Sequence, residues 1–169
     1  MSEHLVIDRR SFREAMSRLG AAVNIITTAA DEGDIGFTAS AVCSVTDDPP
    51  TLLVCMNRNN RYNAAFKAAG KLCVNVLSHE QEALSALFAG GDTPMAERFA
   101  QTSWTRLATG APVLEAAVAS FDCRIDQITE VGTHSVLFCA VAAIRLGSAN
   151  SGLIYHGRAY HKIIGADAA

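Results

Sequence analysis

The side chains best suited to moving protons in this sequence are His79, His134, His156 and His161, and they stand apart from one another. No carboxylate or serine lies at an interpretable spacing from any of them, and there is no Gly-x-Ser-x-Gly elbow to seat a nucleophile. The five cysteines, Cys43, Cys55, Cys73, Cys123 and Cys139, contain no Cys-x-x-Cys pair. No His or Cys lies at ligand spacing from another, which argues against zinc and gives no metal site. Four of the cysteines fall in apolar, strand-like runs, so all five read as small packing residues in a reducing compartment. Gly-x-Gly-x-x-Gly and Walker loops are also missing, so phosphates are not held by the strand–glycine loop–helix device.

What remains is a stretch of unusual texture, Gly36 to Asn60. It opens with small residues and hydroxyls, Thr38-Ala39-Ser40-Ala41-Val42-Cys43-Ser44-Val45-Thr46, and is broken by Pro49-Pro50. An apolar strand, Thr51 to Met56, then empties into Asn57-Arg58-Asn59-Asn60-Arg61. Small residues let a ligand approach the backbone closely, and amides and guanidinium groups are sound phosphate donors. Such an inventory suits a cofactor that carries its own chemistry and needs only to be held flat and oriented. Flavin is such a cofactor.

Positioning these residues falls to a chain of 169 residues, half of them hydrophobic and 18% charged, which is long enough for one well-buried core. The net charge of −3 and the scattered Lys and Arg argue against nucleic acid or an anionic membrane as partner. No apolar run approaches the roughly 20 residues of a membrane span. The start, MSEHLVIDRR, lacks a signal-peptide core, so a cytoplasmic protein is expected.

Ser11-Phe12-Arg13-Glu14 reads as a capping box opening a helix to about Leu19, with Phe12, Ala15, Met16 and Leu19 on one face. Ala21 to Thr28 is β-rich, and the 30–34 turn folds the following stretch back as a hairpin. The run Thr38 to Thr46 reads as one strand. Tyr62 to Ala69 is a short helix closed by Gly70, and Lys71 to Leu77 a strand. Ser78-His79-Glu80-Gln81 reads as a second capping box, with a helix through Phe88; Gly90-Gly91 breaks it, and Pro94 starts another as its first residue. Ala119 to Asp126 alternates with the period of a half-buried strand. Val131-Gly132-Thr133-His134 interrupts it before the long strand Ser135 to Leu146, and a closing hairpin turns at His156-Gly157. The tail GADAA reads as mobile. Six or seven strands, mostly hairpin-connected, with three or four short helices point to an antiparallel β-barrel with helices packed outside.

Phe12-Arg13-Glu14-Ala15-Met16, Gly20 to Thr28, Gly36 to Thr46, Pro49-Pro50 and Leu72-Cys73-Val74-Asn75-Val76-Leu77 carry a resemblance that covers about residues 9–164. Glu97-Arg98-Phe99, Gly132-Thr133-His134 and Gly152-Leu153-Ile154-Tyr155 extend it. The chain resembles the flavin reductase family, which has an antiparallel split β-barrel of the FMN-binding type and supplies reduced flavin to two-component monooxygenases. Phe121 to Ile125 with Leu137 to Ala140 is similar to the FMN reductase of the pyrimidine-utilisation (Rut) pathway. Gly70 to Leu77 with His79 to Glu82 is similar to the reductase of 4-hydroxyphenylacetate 3-monooxygenase, and a corrinoid-reducing relative lies nearby.

The resemblance implies a single domain and a homodimer that uses NADH or NADPH to reduce FMN or FAD. It implies that Thr38, Ala39, Ser40, Ser44 and Val45 line the isoalloxazine, and that Asn57, Asn60 and Arg61 hold the ribityl phosphate. It places His134 near flavin and nicotinamide, Phe99 and Tyr155 as aromatic neighbours of the rings, and Arg158 towards a nicotinamide-side phosphate. Thr133 stands where the family carries Asp, and Asn59-Asn60 where many relatives carry Ser or Thr. A corrin (cobalamin) reductase and a non-catalytic FMN-binding module remain the alternatives. No ribose-reading Asp or Arg of the Rossmann type separates NADH from NADPH.

Overall fold

A computed structural model describes residues 7–165. The tail expected to be mobile lies outside these residues from 166 onward. In chain order the elements are α1 (Arg9–Met16), β1 (Ala21–Ala22), β2 (Asn24–Ala30), β3 (Gly33–Ala39), β4 (Val42–Asp47), β5 (Pro50–Asn57), α2 (Asn63–Ala69) and β6 (Lys71–Val76). There follow α3 (Glu82–Ala89), α4 (Met95–Phe99), β7 (Trp104–Arg106), β8 (Pro112–Leu114), β9 (Ala119–Val131), β10 (His134–Leu146), β11 (Ser151–His156) and β12 (Ala159–Ile164).

Seven strands form the main sheet in the order β3-β2-β6-β9-β10-β5-β4. Every pairing in it is antiparallel. Its two edges are β3 and β4, whose facing ends, Ala39 and Val42, are three residues apart in the chain. Three residues span at most about 11 Å, so the sheet must curl until its edges meet at this corner. The result is a barrel left open between β3 and β4, a split barrel. Leu52, Val54, Met56, Leu72, Val74, Leu137 and Cys139 fill it, and Phe66 of α2 packs among them. The Phe66 ring stands edge-on to Phe37 at 5.3 Å between centroids.

A second core of Val23, Ile25, Leu77, Phe88, Leu114 and Leu153 joins α3 to the barrel and to the small sheet β1-β11-β12. Between the layers, Asn75 is completely buried and fully bonded. Its Nδ2 donates to Ile25 O and Thr27 Oγ1, and its Oδ1 accepts from Leu114 N and Ser120 Oγ.

Several expectations need correction. Helix α1 begins two residues earlier than the Ser11 cap: Asp8 is the N-cap and its Oδ1 accepts Ser11 N at 2.7 Å. A carboxylate immediately before the first helical residue takes the capping role, and the Ser11 hydroxyl donates to it. Phe12, Met16 and Leu19 do form an apolar face, but in the single chain it is exposed. The Ala21 to Thr28 run divides at Val23 between two sheets, and Thr38 to Thr46 divides at Ser40-Ala41. The strands therefore number twelve among the described residues. The second capping box is half formed, with Gln81 Oε1 accepting Ser78 N at 2.8 Å while α3 itself starts at Glu82. Pro94 is the N-cap of α4, one position before its first residue. Helix α2 ends as expected, on Gly70 in the left-handed region at φ 64°. Among the described residues no helix is long and apolar enough to cross a membrane.

Candidate functional site

The site is built from the corner at which the barrel is split. Where β3 ends, Ser40 and Ala41 leave the sheet, and Ala41 O accepts the amide of Cys55 on β5 at 2.9 Å. Two residues further along β5, Asn57 faces His134 across the antiparallel ladder to β10. A step of two residues on a strand is about 7 Å, so the split corner, the start of the Asn57–Arg61 loop and His134 share one rim of the barrel. Among the described residues strand β4 pairs only with β5, leaving its other edge without a ladder partner. Its residues Cys43 to Asp47 are exposed.

The loop after β5 is shaped by its own amides. Asn57 Oδ1 accepts Asn59 N and Asn60 Oδ1 accepts Tyr62 N, both at 2.9 Å. With both acceptors engaged, the side-chain NH2 groups are what these residues can offer a ligand. Arg61 lies over the Tyr62 ring, 4.8 Å from its centroid, a stacked arrangement that leaves the donors at the guanidinium edge available.

His134 opens β10 directly after the Gly132-Thr133 turn, and its Nδ1 lies 2.9 Å from Thr133 Oγ1. The threonine that replaces the expected aspartate therefore contacts the histidine as a neutral hydroxyl. It can fix the ring's orientation, but it brings no charge to hold an imidazolium.

Behind this rim stands a polar network that sequence reading missed. Glu130, near the end of β9, accepts from Ser135 Oγ at 2.9 and 3.1 Å and pairs with Lys67 of α2 and with Arg58 Nε at 3.3 Å. Arg58 also donates from Nη1 to Gly132 O at 3.2 Å, and its backbone N–H bonds Thr133 O at 2.9 Å. Asn63 Nδ2 reaches Ser135 Oγ at 3.2 Å. The hydrogen bond from Lys67, seconded by that from Ser135, holds the Glu130 carboxyl below its ordinary range. Glu130 follows Thr129 in an exposed strand end, so the signal became legible only once the register placed Arg58 beside the turn.

The remaining expected residues are distributed unequally. Ala39 and Ser40 border the split corner and are half-buried. Thr38 stands beside them, but its hydroxyl donates to Ser85 O of α3 at 2.6 Å. Ser44 lines an apolar-floored cavity of about 340 Å³ together with Asn24, Thr46, Leu52, Val74 and Phe121. Val45 is exposed on the same strand. Both sit further along β4, which runs towards Asp47, paired with Pro50 at the far end of β5 from Asn57.

Phe99, Tyr155 and Arg158 belong to a different neighbourhood. Phe99 packs edge-on to Phe88 and tilted against Trp104, with centroids 5.3 and 4.7 Å away, beside the second core. Tyr155 pairs with Tyr160, whose hydroxyl bonds Ser85 Oγ at 2.8 Å. Arg158 sits in the β11–β12 turn at φ 64° and pairs with Glu14 of α1 at 3.0 Å. Among the described residues no hydrogen bond, ion pair or ring contact joins these three to His134 or to the Asn57–Arg61 loop.

The cysteines do not share one environment. Cys73, Cys123 and Cys139 are buried, Cys55 is half-buried and Cys43 is exposed, which corrects the reading of all five as packing residues. Burial pushes the thiols of Cys73 and Cys123 well above the usual range and that of Cys139 up to about 12. Cys43 is exposed because it lies on β4, an edge strand of the sheet.

A ring with a polar carbonyl edge fits this corner. Ala39, Ser40 and Ala41 add nothing larger than a hydroxymethyl group between a ligand and the backbone, and the free edge of β4 offers unladdered backbone groups. The loop beyond carries the amides of Asn57, Asn59 and Asn60 and the guanidinium groups of Arg58 and Arg61. Residues 16–163 match the Flavin reductase like domain.

The chain belongs to this flavin-reductase-like family.

It is 61% identical over 158 residues to the FMN reductase (NADH) RutF of Variovorax paradoxus strain S110, covering 94% of this chain and 87% of that one. With RutF of Escherichia coli K12 strain DH10B the identity is 55% over 159 residues, 94% of this chain and 96% of the relative. Among solved structures, the flavin reductase of the styrene monooxygenase from Pseudomonas putida S12 superposes with a TM-score of 0.79 at 26% identity, over 89% of this chain and 96% of that one. The split-barrel fold is thus shared with the flavin reductase structure.

Proposed function

We propose that this flavin-reductase-like protein oxidises NADH to reduce FMN and releases the reduced flavin to a partner oxygenase. The observation that carries the reading is the register that puts Asn57 opposite His134, two residues from the Ala41–Cys55 contact at the split corner. The relatives named FMN reductase (NADH) favour NADH over NADPH and FMN over FAD. Their RutF names and the pyrimidine-pathway resemblance favour a pyrimidine oxygenase as recipient.

Bound flavin supplies a ring that accepts hydride from nicotinamide, so the protein is asked chiefly for placement. In this reading Ala39 and Ser40 set the depth at which a ring can lie against the backbone, with Thr38 anchoring that strand to α3. Ser44 and Val45 extend the wall along β4. Asn57, Asn60 and Arg61 donate to the phosphate. His134, oriented by Thr133, donates to or packs against the rings from the opposite strand. Phe99, Tyr155 and Arg158 act from the second core, and they reach the rim in a homodimer in which a partner copy brings them to it. The exposed edge of β4 and the apolar face of α1 supply surface for that pairing. The whole chain acts as one domain, its core about residues 9–164, in the cytoplasm.

The test is direct. Protein, FMN and NADH are mixed and absorbance at 340 nm is followed, with NADPH and FAD as comparators. FMN-dependent loss of NADH is expected; its absence would leave a binding module, and anaerobic reduction of a cob(II)alamin-type acceptor in its place would make the corrin reductase the better reading.

A further inference from the structure

Arg58, Arg61 and Lys67 are the cations of the loop after β5 and of the helix that follows it. Glu130 engages two of them, Arg58 at 3.3 Å and Lys67 more closely, and leaves Arg61 to its neighbour's ring. A site meant only to bind phosphate gains nothing from a carboxylate that neutralises its cations. A site from which a phosphorylated ligand must depart does gain, because the ligand's charge and the cations' field set its residence.

We propose that Glu130 sets how strongly this rim holds the flavin's phosphate, by neutralising Arg58 and Lys67. The inference rests on the assignment of the Asn57–Arg61 loop to that phosphate. Arg58 remains fixed by its bonds to Gly132 O and Thr133 O, so the carboxylate acts on charge while the backbone contact keeps loop and turn together. Ser135 holds the carboxylate in place from below, itself held by Asn63.

FMN and riboflavin differ only by the phosphate, so the ratio of their dissociation constants, riboflavin over FMN, isolates its contribution. In Glu130→Gln this ratio rises, by about three- to tenfold at low salt for charges this exposed, and the gain fades as salt is added. Glu130→Asp, which keeps the charge, returns the ratio towards the parent. Arg58→Gln moves it the other way. A staple with a purely structural role would lower the ratio in both Glu130→Gln and Arg58→Gln, and that result overturns the proposal. Where Glu130→Gln does not fold, Arg58→Gln carries the test through its salt dependence: a loss that fades as salt is added is expected, and a ratio that stays level, rises, or falls equally at high salt overturns the proposal. Arg61→Gln separates the two levels of argument. If it lowers the ratio while Glu130→Gln leaves it unchanged, the role of Glu130 falls and the loop assignment stands. If none of the three moves it, the loop does not hold the phosphate and both fall.

Discussion

Asn57 and His134 face each other across the β5–β10 ladder, the last residue of one strand opposite the first of the other. The pair closes the barrel rim at the point where each chain segment becomes a loop, so both side chains are exposed while their backbones are fixed by the sheet. Replacing His134 by Ala removes a side chain without disturbing the ladder. NADH oxidation or FMN affinity is expected to fall by about two- to tenfold, the equivalent of one hydrogen bond. Parent-like values for both, measured by NADH absorbance and by flavin fluorescence quenching, would show that His134 has no part in the site.

At the split corner, bulk is the variable. Ala39→Leu adds three carbons where the backbone must be approached, and FMN binding should weaken by at least about tenfold in a protein whose far-ultraviolet dichroism is unchanged. Retained affinity in the folded variant would move the ring away from β3.

Asn75 tests the scaffold instead of the site. Its amide meets both donors and acceptors on β2, β8 and β9 with no access to water, so Asn75→Ala leaves several buried groups unpaired. A loss of about 3 kcal/mol or more in urea unfolding is expected. A loss below about 1 kcal/mol would mean that water or rearranged neighbours replace the amide.

Glu130 also makes a pH prediction. Its partners stabilise the charged form, so its folded pKa lies below the ordinary 4.5. The stabilisation is therefore fully present above about pH 4.5 and is lost as pH falls through the lower, folded value. Thermal midpoints of the parent and of Glu130→Gln should differ near neutrality and converge in acid. A difference that persists undiminished as pH falls below 4.5 would contradict this.

Thiol labelling separates the cysteines by burial. At pH 8 a disulfide reagent should modify Cys43 first and Cys55 more slowly, because Cys55 is desolvated and its thiolate disfavoured. Cys73, Cys123 and Cys139 should react only on unfolding. Rapid labelling of any of these three would show that the barrel opens.

Much of the barrel was legible because its signals are local. Gly70 ends α2 in a conformation that glycine adopts freely, and the alternation from Ala119 onward matches a strand with one buried face. The divisions within Ala21 to Thr28 and Thr38 to Thr46 were not legible. At Val23 and at Ser40-Ala41 no proline or glycine marks the break; it is imposed by tertiary pairing, Val23 with Leu153 and Leu77, Ala41 with Cys55. The expectation for Asn57 on β5 and His134 on β10 comes from the family resemblance and not from any local signal. That Thr38 would give its hydroxyl to α3, and that Arg158 would be taken by Glu14, depends on contacts with residues 47 and 144 positions away in the chain. Glu130 was invisible for the same reason.

The grip of the last hairpin on the first helix has a mechanical meaning. Helix α1 buries no residue, yet Ser17 O accepts Gly157 N at 2.6 Å and Glu14 holds Arg158, so the helix is moored to the β11–β12 turn and not to the barrel. Trimming that turn would leave the helix tethered by the chain alone, and a fused partner pulling on α1 would load the small sheet twice, through the β11–β12 turn and through β1, which follows the helix and pairs with β11.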